Sequence, residues 1–176
     1  MLTQSQKINS SFVAKDFKLL GVDKKYYTLN SIKGSKGTLI CFICNHCPYV
    51  KEVIYDLVKE TNELREYGIS SVAIMPNDVN TYPEDSFDNM VLFSKSNRLN
   101  IPYLYDEYQN VAKLYNAVCT PEFFGFDKNL ILKYRGRINN PKNKNDRELF
   151  SAMTSIANKK DISFNNPSIG CSIKWK

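Results

Sequence analysis

The chain has 176 residues, 43% of them hydrophobic and 24% charged, with a mass of 20.3 kDa and a mean hydropathy of −0.39. These values exclude a disordered chain and predict a single domain over residues 1–176 that needs no disulfide staples to fold. The net charge of +6 is concentrated in residues 128–176, which hold 11 Lys and Arg against 3 Asp and Glu; this reads as a solvated basic face, because Lys142-Asn143-Lys144 lacks the interleaved aromatics of a nucleic-acid module.

In chain order, the segment from Met1 to Ser10 has no apolar h-region, so a cytoplasmic location is expected. The longest apolar run, Leu39–Cys44, has strand length and falls far short of the ~18 residues of a membrane span, so no membrane association is expected. Asp16–Gly21 and Lys25–Thr28 predict short strands around a Gly-Val-Asp turn. Thr38–Ile43 predicts a buried central strand. A helix follows from about Cys47 to Tyr67, because Val50, Val53, Ile54, Leu57, Val58 and Leu64 share one face of a 3.6-residue period. Gly68 stands at its C-cap. Ile69–Met75 is a second buried strand, which makes a right-handed βαβ unit.

Pro83-Glu84-Asp85 predicts the start of a helix reaching Arg98, since proline and acids suit a first turn. Ile101–Tyr105 predicts a strand and Gln109–Tyr115 a short helix. Glu122–Phe126 and Leu130–Tyr134 form a hairpin through Asp127-Lys128-Asn129. Asp146 is expected to N-cap a last helix to Asn158, and residues 161–176 to form an irregular tail. Within that tail Ile169, Ile173 and Trp175 alternate with small or polar residues. Residues 167–175 are therefore expected to dock on the body as a structural clasp, with Trp175 buried. The elements together predict an α/β fold with a mixed central sheet flanked by helices.

Five cysteines are present, and Cys41, Cys44 and Cys47 fall within seven residues. Such clustering points to redox or metal chemistry and not to a disulfide scaffold. Cys44-Asn45-His46-Cys47 lies where a buried strand passes into a helix. A helix N-terminus offers unpaired N–H groups and a partial positive charge, both of which stabilise a thiolate. His46, as an imidazolium, would further favour the Cys44 thiolate and make the pair more oxidising. Two other readings stand beside the redox dithiol. The spacing Cys41-x-x-Cys44-x-x-Cys47-Pro48 approaches an iron–sulfur run but lacks its fourth cysteine, and a zinc site would need His46 or Cys119. Buried, inert cysteines are the other reading, and the preferred one for Cys41. Val118-Cys119-Thr120-Pro121 adds an X-Pro bond before the hairpin, open to a cis isomer or to an ordinary trans edge proline.

Together these pieces resemble the thioredoxin fold. The CxxC at a helix tip, the Thr-Pro before an antiparallel hairpin and the closing helix match it in order. The N-terminal hairpin and the insertion Asn77–Tyr115 are similar to the redoxin branch, the AhpC/TSA or peroxiredoxin-like group. Cys44-Asn-His-Cys-Pro-Tyr-Val, Tyr82-Pro-Glu-Asp-Ser, Cys119-Thr-Pro and Pro167-Ser-Ile-Gly-Cys-Ser-Ile-Lys-Trp-Lys resemble one of its bacterial subfamilies, over essentially the whole chain. The resemblance implies a cis Pro121 facing the CxxC and a backbone before it, at Cys119 and Thr120, that pairs with substrate. The peroxiredoxin pattern Pro-x-x-x-Thr/Ser-x-x-Cys is not matched: counted back from Cys47 it meets Cys44 and Ile40, and from Cys44 it meets Cys41 and Gly37. The tryptophan and buried acid common in thioredoxins are replaced by Ile43 and Thr38.

The expectation is a thiol–disulfide oxidoreductase with no cofactor or metal beyond its own Cys44–Cys47 disulfide. Cys44 is the exposed attacking thiolate, Cys47 resolves the mixed disulfide, His46 tunes Cys44, and Thr120, Pro121 and Cys119 shape the groove. The substrate is a protein disulfide or a peroxide, and the reductant a thiol from a thioredoxin or glutathione system. Peroxide reduction is the near alternative, and a non-catalytic binding or metal-binding domain the distant one. Cys171 invites comparison with a C-terminal resolving cysteine, but a structural role is expected for it.

Overall fold

The computed structural model describes residues 1–176 apart from 8, 10, 144 and 163; Lys144 of the basic run thus lies outside the described residues. Strand β1 covers Leu2–Gln4, β2 Lys18–Gly21 and β3 Tyr26–Thr28, and a single helical turn, α1, covers Leu29–Ile32. Strand β4, Gly37–Phe42, is buried at every position. Successive side chains of a strand point to opposite faces, so Leu39 and Cys41 enter one apolar cluster while Ile40 and Phe42 enter the other. Helix α2, Pro48–Glu66, buries Val50, Ile54, Leu57 and Leu64, the stripe its periodicity predicts. Gly68 takes φ +75° just after it, a conformation open to glycine without a Cβ clash.

Strand β5, Ile69–Met75, pairs parallel with β4 from Gly37↔Ile69 to Phe42↔Ile74, which completes the expected βαβ unit. After helix α3, Phe87–Ser96, strand β6, Tyr103–Tyr105, runs parallel to β5. Helix α4 spans Asn110–Leu114 and the two-residue strand β7 spans Cys119–Thr120. Strand β8, Glu122–Asp127, lies antiparallel to β4 and to β9, Leu132–Gly136. Helix α5, Glu148–Ala157, precedes strand β10, Ile169–Ser172. The main sheet is mixed and seven-stranded, in the order β3-β2-β6-β5-β4-β8-β9. Residues of α2, α3 and α5 cover one face, and those of α1 and α4 the other. A second sheet has three strands in the order β1-β10-β7. Among the described residues, no helix is long and apolar enough to cross a membrane.

Four local expectations are corrected. The helix predicted from Pro83 is broken: Pro83–Asp85 is a 3-10 turn, and Ser86 starts α3 afresh by accepting from the Asn89 N–H at 3.4 Å. The break lets the Asp85 carboxylate turn inward. Asp146 does not cap α5; Arg147 holds that position without a side-chain cap, and Asp146 accepts from Asn140 Nδ2 at 3.3 Å instead. The second hairpin strand starts later than expected, after Leu130 takes φ +62°. The tail is ordered and docked as expected, but it is a strand, and its buried anchor is Ile173, 3% exposed, while Trp175 is 44% exposed beneath Lys113.

Candidate active site

Cys47 is the N-cap of α2, in extended conformation, and Pro48 follows at the first helical position, where no intrahelical N–H bond is lost. Cys44 lies in the loop from β4. The Thr120–Pro121 peptide is cis and brings Thr120 against both sulfurs. Cys44 Sγ lies 3.2 Å from Thr120 Oγ1, and Cys47 Sγ lies 3.2 Å from the Thr120 carbonyl oxygen. Cys44, Cys47, Thr120 and Pro121 are thus assembled from segments more than seventy residues apart.

The expected order of exposure does not hold. Cys44 and Cys47 are both 0% exposed, as are Cys41 and Cys119; Cys171 alone among the five thiols is partly exposed. The reason is tertiary: β10 runs antiparallel to β7, with Cys171 opposite Thr120 and Ser172 opposite Cys119, and roofs the tip of α2. The backbone expected to pair with substrate therefore already pairs with the chain's own tail.

The charge also settles differently. As a thiol, Cys47 donates to the Thr120 carbonyl. As a thiolate it accepts from the Cys44 thiol, the strongest influence, and from the Cys171 thiol and the backbone N–H groups of Val50 and Cys171. Those donors outweigh burial and the single carbonyl, so the Cys47 pKa is pulled down to about 4. The Cys44 thiol is pushed up, first by that hydrogen bond to Cys47, then by burial and by the Asp85 charge, with the Thr120 hydroxyl opposing. The cysteine expected to resolve is thus the one drawn toward ionisation, and the one expected to attack is the one held toward its thiol form. Cys41 and Cys119 are pushed up mainly by burial, which fits the inert reading of Cys41. Cys119 points its sulfur inward, 3.8 Å from the Pro121 carbonyl.

His46 directs Nδ1 at Asp85 Oδ2, 2.7 Å away, and stacks on Tyr82 at 5.2 Å between ring centroids. Asp85 is the residue that sequence reasoning missed. Its buried carboxylate accepts the Asn45 N–H at 2.8 Å, the His46 N–H at 3.2 Å and Asn77 Nδ2 at 2.8 Å. It thereby fixes the loop between the two cysteines. Tyr82-Pro-Glu-Asp-Ser stood out as a motif, but a helix start explained its acids. Glu122 was missed as well: it accepts the Val118 N–H at 2.8 Å and pairs with Arg135 at 2.6 Å, which holds the loop leading to Pro121.

Donor atoms of Cys44, His46 and Asp85 lie within 4.8 Å of one another, yet the Asp85 oxygens already serve four protein donors. Beside Pro121, a cavity of about 250 Å³ is lined by Tyr49, Val53, Pro121, Phe123, Ile138 and Ile169, with Arg137 among its charged groups and no cysteine in its wall. A larger one of about 620 Å³, lined by Lys36, Lys128, Lys133, Lys159 and Lys160, includes Asp127 at the far end of β8 and touches no cysteine.

Residues 12–135 match the model of the AhpC/TSA family. No curated protein matches the chain. Among solved structures, an uncharacterized conserved protein from Geobacillus kaustophilus is 39% identical over 100% of this chain and 97% of its own, with a TM-score of 0.95. A hypothetical protein from Sinorhizobium meliloti 1021 is 35% identical over 99% and 98%, with a TM-score of 0.94. A thiol:disulfide interchange protein of the thioredoxin family from Chlorobium tepidum TLS, 18% identical over 86% and 99%, shares the fold with a TM-score of 0.68. The mixed sheet, the helix-tip cysteines and the match over most of the chain lead to one assignment: the protein belongs to the AhpC/TSA family and has the thioredoxin fold.

Proposed function

We propose that the protein is a thiol–disulfide oxidoreductase that cycles Cys44 and Cys47 between dithiol and disulfide, with Cys47 as the attacking thiolate. The observation that carries this reading is the convergence of hydrogen-bond donors on Cys47 Sγ, one of them the Cys44 thiol. A thiolate attacks one sulfur of a substrate disulfide, forms a mixed disulfide and expels the other sulfur as a thiolate. Once Cys47 is in that mixed disulfide its negative charge is gone, and with it the main cause holding the Cys44 proton. Cys44 then ionises with the Thr120 hydroxyl beside it, attacks Cys47 and releases the reduced substrate. His46 and Asp85 position the loop. A thiol from a thioredoxin or glutathione system would reset the pair.

A second reading is favoured by the complete burial of both sulfurs, which admits a small oxidant more readily than a protein. Cys47 would then attack a peroxide oxygen, becoming a sulfenic acid with loss of water or an alcohol, and Cys44 would close the disulfide with loss of a second water. Insulin reduction and peroxide consumption, assayed on one preparation, separate the two. Titration in a glutathione buffer should place the couple at roughly −230 to −120 mV. Neither activity, or a disulfide far more reducing than that range, would remove the redox function.

A further inference from the structure

Four of the five thiols are fully buried, and the two that would do the chemistry are among them. The fifth, Cys171, is partly exposed and lies within hydrogen-bond reach of the Cys47 sulfur. Its position is set by backbone. Strand β10 is the middle strand of its sheet, paired to β1 through Leu2↔Cys171 and to β7 through Cys171↔Thr120. The segment after it is held by the Ile173 N–H on the Val118 carbonyl at 3.1 Å and by the Lys174 N–H on Asn77 Oδ1 at 2.9 Å. Gly170 makes the approach feasible: a Cβ there would stand 2.2 Å from the Thr120 carbonyl oxygen and 3.1 Å from the Pro121 nitrogen. The tail therefore lies where an extended substrate would add to the β7 edge, and it presents a cysteine at the register of Thr120, the residue that touches both reactive sulfurs.

We infer that β10 is a tethered substrate and that Cys171 is a third redox thiol, which exchanges with Cys47 and carries electrons between the buried pair and thiols in solution. This rests on the proposed Cys44–Cys47 cycle and extends it outward. Starting from the Cys44–Cys47 disulfide, the Cys171 thiolate attacks Cys47 Sγ. The Cys47–Cys171 bond forms, the Cys44–Cys47 bond breaks, and Cys44 leaves as a thiolate that takes up the proton Cys171 lost. An external thiol then attacks Cys171 Sγ, the accessible sulfur, and Cys47 leaves as its stabilised thiolate. A second external thiol attacks the external sulfur of the Cys171 mixed disulfide and frees Cys171. Over the sequence one protein disulfide gains two electrons and two external thiols become one external disulfide. In the reduced protein the Cys171 pKa is pushed up to about 11, by burial first and then by Cys47; oxidation of Cys47 removes that second influence, so the relay thiol becomes more reactive when it is needed.

The test maps disulfides by mass spectrometry on the full chain, acid-quenched during reduction by glutathione. In the unmutated protein, a Cys47–Cys171 disulfide and glutathione bound at Cys171 are expected as transients. In Cys44→Ser, oxidation should yield the Cys47–Cys171 disulfide as the main product. In Cys171→Ser and Cys171→Ala, the Cys44–Cys47 disulfide should still form, but its reduction by glutathione should slow at least about tenfold. A Cys44–Cys47 disulfide that forms and is reduced at an unchanged rate in the folded Cys171 variants would overturn the relay and leave the dithiol cycle standing. Cys47–Cys171 as the sole disulfide would support the exchange partner and overturn the Cys44–Cys47 cycle. Absence of both disulfides would overturn both.

Discussion

At the tip of α2 a buried sulfur is drawn toward ionisation, while about three and a half turns along the same helix a buried carboxylate is pushed toward neutrality. Cys47 is 0% exposed and Glu60 only 2%, so burial penalises charge at both. The partners differ. Cys47 is met by two thiols and two backbone N–H groups. Glu60 has Arg147 at 3.2 Å on Oε1 and no partner on Oε2, and Arg147 is shared with Glu63. Burial is therefore the largest influence on Glu60, raising its pKa to about 7. What decides the sign of a buried shift here is the number of donors aimed at the group, not the depth of burial.

The first way to break the comparison is to remove the charge at the tip. Cys47→Ser should lower turnover of either substrate class by about a thousandfold or more, because a hydroxyl does not ionise at neutral pH. Cys44→Ser combined with Cys171→Ser should stall after one attack, visible as a trapped mixed disulfide on Cys47. Thiolate ultraviolet absorbance should show Cys47 ionised well below the ordinary cysteine range in the reduced protein. The same absorbance should titrate higher in Cys44→Ser and Cys44→Ala, with the larger displacement in Ala, where position 44 offers no donor.

Asp85→Asn tests the scaffold of the tip. It replaces a charged acceptor of two backbone N–H groups, so a loss of about 3 kcal/mol in denaturant unfolding is expected. It also removes a charge that raises Cys44, so Cys44 should ionise more readily in the variant that remains folded.

Glu60 sharpens the comparison through pH. Its folded pKa lies above its unfolded one, so its contribution is complete below about 4.5 and declines as pH rises through about 7. Cys47 runs the other way: its contribution is complete above the ordinary thiol range and declines as pH falls toward about 4. The oxidised protein isolates Glu60, because Cys47 no longer titrates. Across that interval its unfolding free energy should fall by about 2–3 kcal/mol from this residue, and Glu60→Gln should flatten the slope. An unchanged slope would place the Glu60 pKa near that of the unfolded chain.

The smallest effect concerns the tail. Trp175→Ala should cost less than about 1 kcal/mol, since the ring is half in solvent, whereas Ile173→Ala should cost about 2–4 kcal/mol through the space it leaves. Thermal unfolding of both, in the same buffer, checks the order.

Much of the architecture was legible because it is local. The β4–α2–β5 unit follows from a solid apolar run, a 3.6-residue stripe ending in Gly68 and a second apolar run. The place of Cys44 and Cys47 at a helix tip follows from the same pattern. Where expectation failed, a distant partner had intervened. Pro83–Asp85 did not continue into α3 because Asp85 serves Asn45, His46 and Asn77. Arg147, not Asp146, took the start of α5, and it reaches Glu60 and Glu63 across α2. Trp175 looked like the tail's anchor by size, yet the pairing of β10 points Ile173 inward instead.

The amino-acid sequence alone determined that a dithiol sits at a helix N-terminus before a Thr-Pro hairpin, because spacing and periodicity are properties of neighbours along the chain. Which sulfur bears the charge was decided only in three dimensions. Thr120, Cys171 and Asp85 come from segments far apart in sequence and meet the cysteines through β7, β10 and a broken helix start. A pKa answers to whatever atoms surround a group, and those atoms are chosen by the fold.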